Sequence, residues 1–426
     1  MVSKATHVGA QRRVVPAQSP CEAGEPWQRR DRKENCVETG LGQWASCLIQ
    51  EPDGEARVYS LDILRGFMAL AVAVLHLSMP QFTGVAQQGS RLSNINNVFG
   101  PYGVEGFFMV SGFCFFLLYG ETRWTARNLA IFHIKRFFRI APLYYAAVAM
   151  TLAFRPPFGT VLFGPNPTPR VLLENLSFTF GYFHPNRSLL IGGWSIGLEY
   201  LFYFALPFLV LIARRKVLLY VMLGALLAWA WPWNFIYVPQ APNADWQKLH
   251  TYVHIPNHAF LFVLGGVAAH LRSLARWRLR FPVFAALVLI LFVLAIPKGP
   301  PVADTFVYIF GRERVWYVTL CFLMVMVFAL YDAPRHPLRA PFVLLGDLSY
   351  SIYLLHPMAY LITLNTVPQT LPPLARFGIA LAATFGLSYV VYRWLEKPAM
   401  VLGKTIAERV KGTRAIAPFA SPGSLP

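Results

Sequence analysis

Ten apolar runs separated by mostly short polar connections leave this chain few environments to fold in other than a lipid bilayer. They cover roughly 61–79, 100–120, 137–153, 191–213, 217–233, 257–271, 281–297, 315–331, 342–362 and 374–395. A helix satisfies its own backbone hydrogen bonds inside hydrocarbon, and about 20 residues suffice to cross it. The expected fold class is therefore all-α: a polytopic membrane helix bundle with about ten transmembrane helices. Several runs are nearer 15–17 residues and would be tilted poorly or only half-inserted. Hydrophobic residues make up 56% of the 426, and 34 Phe, 19 Tyr and 11 Trp suit lipid contact and interfacial belts.

The formal charge of +18 would suggest nucleic acid in a soluble protein. Here the basic residues mostly sit in short connections between apolar runs, no stretch resembles a nucleic-acid module, and no nucleic-acid partner is expected. Four short connections are dense in Lys and Arg: Arg123, Arg127 and Lys135; Arg214, Arg215 and Lys216; Arg272, Arg276, Arg278 and Arg280; Arg335 and Arg339. The alternating connections are longer and sparser. The positive-inside rule makes the dense set cytoplasmic and puts both termini inside. Residues 1–57 read as a disordered cytoplasmic tail or an over-long start, 58–400 as the membrane domain, and 401–426 as a second disordered cytoplasmic tail. No cleaved leader is expected, because the opening residues are polar and the first apolar run comes late. The five cysteines form no CxxC and no zinc-like spacing, so neither a disulfide framework nor a metal site is indicated.

The first apolar run carries two costly residues. In LDILRGFMALAVAVLHLSM, Arg65 and His76 are eleven positions apart. That is about three turns, so both lie on one helix face with a rise of roughly 16 Å between them. Ionisable groups in a span usually face a bundle interior or a wet cavity. With the topology above, Arg65 lies near the cytosolic face and His76 near the outer one. WSIGLEYLFY then puts Glu199 at about the depth of His76, and GDLSYSIYLLHP does the same for His356. Glu105 enters from the outer end of the second run. Imidazole with carboxylate suits general base catalysis near neutral pH. In HIKRFFRIAPLYY, Arg136 and Arg139 share a face at the cytosolic edge, where forked guanidinium donors suit phosphates. The seam at Tyr392, Arg393, Glu396 and Pro398 closes the last run at that edge.

Each of these has a structural alternative. His76 and His356 would hydrogen-bond between helices, Glu199 would pair with Arg or Tyr, Glu105 would meet outer water at a helix start, and Arg136 and Arg139 would anchor topology. Ser111–Gly112 reads as a close-packing site rather than a nucleophile, and no G-x-S-x-G elbow is present. Trp194, Tyr203 and Tyr350 read first as packing or interfacial aromatics. Trp194, Glu105 and His356 are nevertheless the candidates to contact an acceptor.

Taken in order, these motifs resemble the acyltransferase-3 family of integral membrane O-acyltransferases. The resemblance rests on Arg65 and His76 with ten residues between them, GVEGFFMVSGF, RFFRIAPLYY, WSIGLEYLFY, LSYSIYLLHP and YRWLEKP, spanning about 58–400. It implies transfer of an acyl group, commonly acetyl from acetyl-CoA, to a hydroxyl of a sugar or another extracytoplasmic acceptor. It assigns essential roles to Arg65 and His76 and a donor role to Arg136 and Arg139. Arg65, His76 and Glu199 are thus the expected catalytic residues, and Arg65, Arg136 and Arg139 the donor-binding ones. Acyl-CoA would be a co-substrate, with no tightly bound cofactor. The expected setting is a bacterial cytoplasmic (inner) membrane, with membrane lipid and a carbohydrate acceptor as partners. Some family members carry a fused esterase-like domain, and here the membrane domain is expected to act alone or with a separate partner. A flippase for a lipid-linked sugar, or a non-catalytic member of an envelope assembly, are the competing readings.

Overall fold

The computed structural model describes residues 58–412 apart from 81, 159–166, 241–244, 300–305, 335, 337 and 338. The expected tail at 1–57 therefore lies outside the described residues. Among the described residues there is no strand, and the ten apolar runs lie on helices, the ninth run being divided between a short helix, Ala340–Asp347, and a longer one. These are α1 (Tyr59–Ser78), α2 (Arg91–Tyr119), α3 (Ala126–Phe158), α4 (Trp194–Ala213), α5 (Lys216–Pro232), α6 (Ala259–Leu274), α7 (Phe281–Ala295), α8 (Gly311–Ala329), α9 (Ser349–Thr366) and α10 (Pro373–Val391). The fold is an all-α membrane helix bundle.

Five helices are long and apolar enough to cross a bilayer: α1, α2, α4, and α5 and α10 with their continuations to Gln240 and Lys411. The 15 residues of α7 and the 16 of α6 reach only about 22 and 24 Å, against roughly 30 Å of hydrocarbon. Two helices extend well beyond their apolar runs because capping overrides hydropathy. The Ser90 hydroxyl accepts from the Ser93 amide at 3.1 Å and starts α2 nine residues early. The buried Asn96 of that extension donates to Ser78 Oγ at 2.7 Å and ties α2 to the end of α1. Thr125 Oγ1 accepts from the Asn128 amide at 3.2 Å and starts α3 eleven residues early.

The last helix also differs from expectation. Through a π-helical turn at Tyr392–Glu396, α10 passes into Lys397–Lys411, which packs along α3. The segment from 401 to Lys411 is therefore helix rather than disordered tail, and 413–426 lie outside the described residues. This helix is amphipathic, and its small residue Gly403 lies against Phe138.

The core is organised around α2, which packs on α1, α4, α6 and α8. Its contact with α6 needs glycine on both sides. A methyl on Gly112 would overlap the Phe262 carbonyl, and one on Gly265 would overlap the Met109 carbonyl. Gly112 thus serves close helix approach, as small residues do where lipid gives helices no hydrophobic drive to associate. In contrast α5 and α7 present large apolar side chains outward, with Val217 73% and Leu289 63% exposed. Such faces are suited to lipid rather than water.

Connections rich in Lys and Arg meet at one end of the bundle. Arg214 donates to the carbonyls of Gly120 and Thr122, and Arg272 and Arg278 both pair with Asp332. Ser60, at the start of α1, donates to the Phe328 carbonyl at this end. At the opposite end Tyr360 donates to the carbonyl of Phe82, and Arg376 to that of Thr83. Arg65 consequently lies toward the basic end and His76 toward the other.

Candidate active site

Three arginines gather toward the basic end. Arg65 of α1 and Arg136 and Arg139 of α3 all lie within electrostatic reach of Cys114, in the last turns of α2. Their surroundings differ. The half-buried Arg136 sits among the rings of Phe115, Phe132, Tyr203 and Tyr119, 4.8 to 6.0 Å from their centroids, and donates to Tyr119 Oη at 3.2 Å. Aromatic faces attract a guanidinium and stack on it, so most of this cation is already engaged. The one hydrogen bond of Arg139 among the described residues is to a weak acceptor, Met400 Sδ, at 3.6 Å. Arg65 donates no hydrogen bond to any described residue and lines a cavity. Glu396, in the π turn, is buried, accepts from Ser351 Oγ at 2.6 Å, and lies within electrostatic reach of Arg139 and Arg65. The YRWLEKP seam thus supplies a counter-charge to the cationic group.

The cavity lies between α1, α2, α4 and α9. Arg65 and Glu199 line it together with Phe107, Ser195, Tyr350 and Tyr353. Glu199 Oε1 accepts from Ser111 Oγ at 3.0 Å and from Tyr203 Oη at 2.8 Å, one turn further along its own helix. Tyr353 closes the side facing the outer end. Its hydroxyl donates to the Gly192 carbonyl at 2.8 Å and lies 2.7 Å from Ser195 Oγ. Gly192 holds φ at +73°, a left-handed conformation that only glycine adopts without strain, and this turn aims its carbonyl at Tyr353.

One turn beyond Tyr353 stands a pair of histidines. His76 Nδ1 is 2.9 Å from His356 Nε2, and His356 Nδ1 is 3.2 Å from the Ile352 carbonyl. The ring planes differ by 11° with centroids 5.0 Å apart. At that nitrogen separation the rings meet edge to edge. His356 is fully buried, whereas His76 is half-buried.

This geometry corrects the expectation that Glu199 shares a level with the two histidines. Ser195 and Tyr353 meet between the antiparallel α4 and α9. From that contact Glu199 lies four residues inward and His356 three residues outward, an axial separation of roughly 10 Å. Glu199 belongs to the arginine side, and the partner of the His76 imidazole is His356.

Of the candidate acceptor contacts, His356 and Glu105 are enclosed and Trp194 is not among the cavity-lining residues. The His356 ring is spent on His76 and Ile352 and shows no surface to a ligand. Glu105 is also fully buried. Its Oε1 lies 3.0 Å from Arg314 Nη2 and accepts from Tyr252 Oη at 2.8 Å, so it meets a counter-ion rather than outer water. Arg314 Nη1 goes on to Asn257 Oδ1 at 3.0 Å, and Nη2 to the Asn257 carbonyl. Trp194 packs on Phe108, Tyr252 and His258, which places it on this network rather than among the cavity-lining residues.

Sequence reasoning did not pick out Arg314, Tyr252, Asn257 or Tyr353. A signal for Arg314 was present: it opens the eighth apolar run at the same end where Glu105 enters the second. Among the described residues no group of His, Cys, Asp and Glu is arranged to hold a metal ion.

Comparison with known proteins agrees with the motifs. The acyltransferase-3 family, described as an acyltransferase domain, matches residues 58–393. The chain is similar to the peptidoglycan O-acetyltransferase OatA of Listeria monocytogenes, at 25% identity over 383 residues. That alignment covers 80% of this chain and 55% of the relative. It is also similar to the acyltransferase MdmB of Streptomyces mycarofaciens, at 29% identity over 178 residues, 38% of this chain and 42% of the relative. The chain thus spans about half the length of each of these two relatives. No solved structure matches it. With the match running from the start of α1 into the π turn after α10, this membrane helix bundle belongs to the acyltransferase-3 family.

Proposed function

We propose that the chain moves an acyl group, acetyl by default, from cytosolic acyl-CoA to a hydroxyl of an extracytoplasmic or lipid-linked carbohydrate. The setting would be a bacterial cytoplasmic membrane. The observation that carries this reading is the cavity beside Arg65, with arginines at one end and the His76–His356 pair beyond the other. The donor phosphates would dock against Arg139 and Arg65, with Arg136 holding the aromatic wall of that site. The pantetheine arm would run along the face of α1 shared by Arg65 and His76, a length of roughly 16 Å. The name of OatA, a peptidoglycan O-acetyltransferase, supports a cell-envelope sugar as the acceptor.

At the far end His76 takes the hydroxyl proton of the acceptor as its oxygen attacks the thioester carbonyl. The carbon–sulfur bond breaks, CoA leaves as the thiolate, and the proton on His76 passes to that sulfur. Glu199, held by Ser111 and Tyr203, lies about 10 Å short of this point and faces the arm of the donor. Its role in this scheme is to shape the channel and offset the arginines.

The test is turnover by purified protein in lipid nanodiscs supplied with acetyl-CoA and muropeptide sugars. Acetyl ester should appear on the sugar with stoichiometric release of free CoA. Arg139→Met should raise the KM for acetyl-CoA about tenfold and leave that for the sugar within about twofold, the loss of one charge-assisted contact. Movement of a lipid-linked sugar with no thioester consumed would replace this reading with the flippase.

A further inference from the structure

The pair of imidazoles contains more information than proximity, because one end of it is fixed by a group with a single hydrogen-bonding role. The Ile352 carbonyl can only accept, so His356 Nδ1, 3.2 Å away, carries a proton. A neutral His356 then has its lone pair on Nε2. That nitrogen faces His76 Nδ1 at 2.9 Å, so the proton between the rings belongs to His76. His76 is left with N–H at Nδ1 and a lone pair at Nε2. Of the two rings only His76 is partly open, and its partner is completely enclosed. The near-coplanar rings, 11° apart, suit a bond made in the ring plane.

We infer that His356 is a positioning residue, which holds His76 in the tautomer and orientation that present its Nε2 lone pair to the acceptor hydroxyl. This deepens the acyltransferase reading and rests on it. A carboxylate serves the same purpose for histidine in hydrolase triads, where it fixes the tautomer without entering the proton transfer. Here a second imidazole does so, anchored one helical turn back on its own carbonyl. It is suited to a membrane interior because the pair carries no net charge, whereas a buried carboxylate would need a counter-ion. The nearest carboxylates do not compete for the part: Glu199 is on the arginine side and Glu105 is paired with Arg314.

Two substitutions separate positioning from packing. The amide oxygen of His356→Gln can accept from His76 Nδ1, whereas His356→Leu fills a similar volume and accepts nothing. The Leu variant should lose about 10²–10³-fold in kcat with the KM for acetyl-CoA within about twofold, and the Gln variant should recover to within about tenfold of wild type. The direct readout is NMR of the full chain in nanodiscs with isotope-labelled histidine, the His76 signals being assigned by difference from His76→Ala. Wild type and the Gln variant should show His76 protonated at Nδ1, and the Leu variant a mixture of tautomers. His76 protonated at Nε2 in the wild type would overturn the inference whether or not the Leu variant inserts, and so would an unchanged kcat in a folded Leu variant. Full acyl transfer by His76→Ala would instead remove the acyltransferase mechanism itself and leave the tautomer result standing.

Discussion

Replacing His76 with Ala should lower acyl transfer by about 10²–10⁴-fold, the usual contribution of a positioned general base. The protein should still insert and still bind acyl-CoA. Both parts follow from where the side chain stands. His76 lies near the end of α1, and its side-chain hydrogen bond to another helix is to His356. α1 packs on α2 and α9, and its buried residues, among them Leu61, Leu64, Met68, Ala69, Val72 and Ala73, are not touched by the substitution. The proposed donor site lies about three helical turns away at Arg65. A defect confined to kcat, with the KM for the donor held, is therefore the expected signature. A variant with wild-type turnover would contradict the role of His76. An acyl group trapped on the His76 imidazole by rapid quench would replace base catalysis with a covalent relay at the same residue.

The second large effect is on stability. Arg314→Leu should destabilise the folded protein by about 3–5 kcal/mol, because it strands the Glu105 carboxylate in the interior. The two side chains are 3% and 0% exposed, leaving no route for water to compensate. Arg314 also holds Asn257, just ahead of α6, so that its loss should loosen the entry of a helix packed directly on α2. The double variant Glu105→Gln, Arg314→Leu should recover part of the loss, since it removes the charge as well as its partner. Unfolding by denaturant in mixed micelles, read as a double-mutant cycle, measures both. Equal losses in the single and double variants would show that the pair contributes shape rather than charge balance. The kcat of the folded fraction should stay within a few fold of wild type, which distinguishes this cluster from the histidine pair.

The helices, and the residues at the two ends of the candidate site, were legible in the sequence for a physical reason. Charges and imidazoles are costly in hydrocarbon, so Arg65, His76, Arg139 and His356 stand out against the apolar runs that carry them. Helix period and loop charge then gave a face and a direction. What could not be read is which groups meet. Counting residues from a loop gives depth only to within a turn or two, because a helix starts where its cap is, and Ser90 and Thr125 start α2 and α3 well outside their apolar runs. The same uncertainty in register placed Glu199 with the histidines, although the contact of Ser195 with Tyr353 sets it two turns inward. Glu105 looked exposed because its partner Arg314 is about 200 residues later, and separation of that kind leaves no periodic trace.

The central claim is that one face of α1 links a donor site at the basic end to a reacting site at the other. It is tested most directly by sidedness, in orientation-sorted proteoliposomes with an impermeant sugar acceptor on one side and radiolabelled acetyl-CoA on the other. The account predicts labelled ester on the sugar only when acetyl-CoA is presented to the face with the basic connections and the sugar to the opposite face. Transfer that requires donor and acceptor on the same face would contradict it.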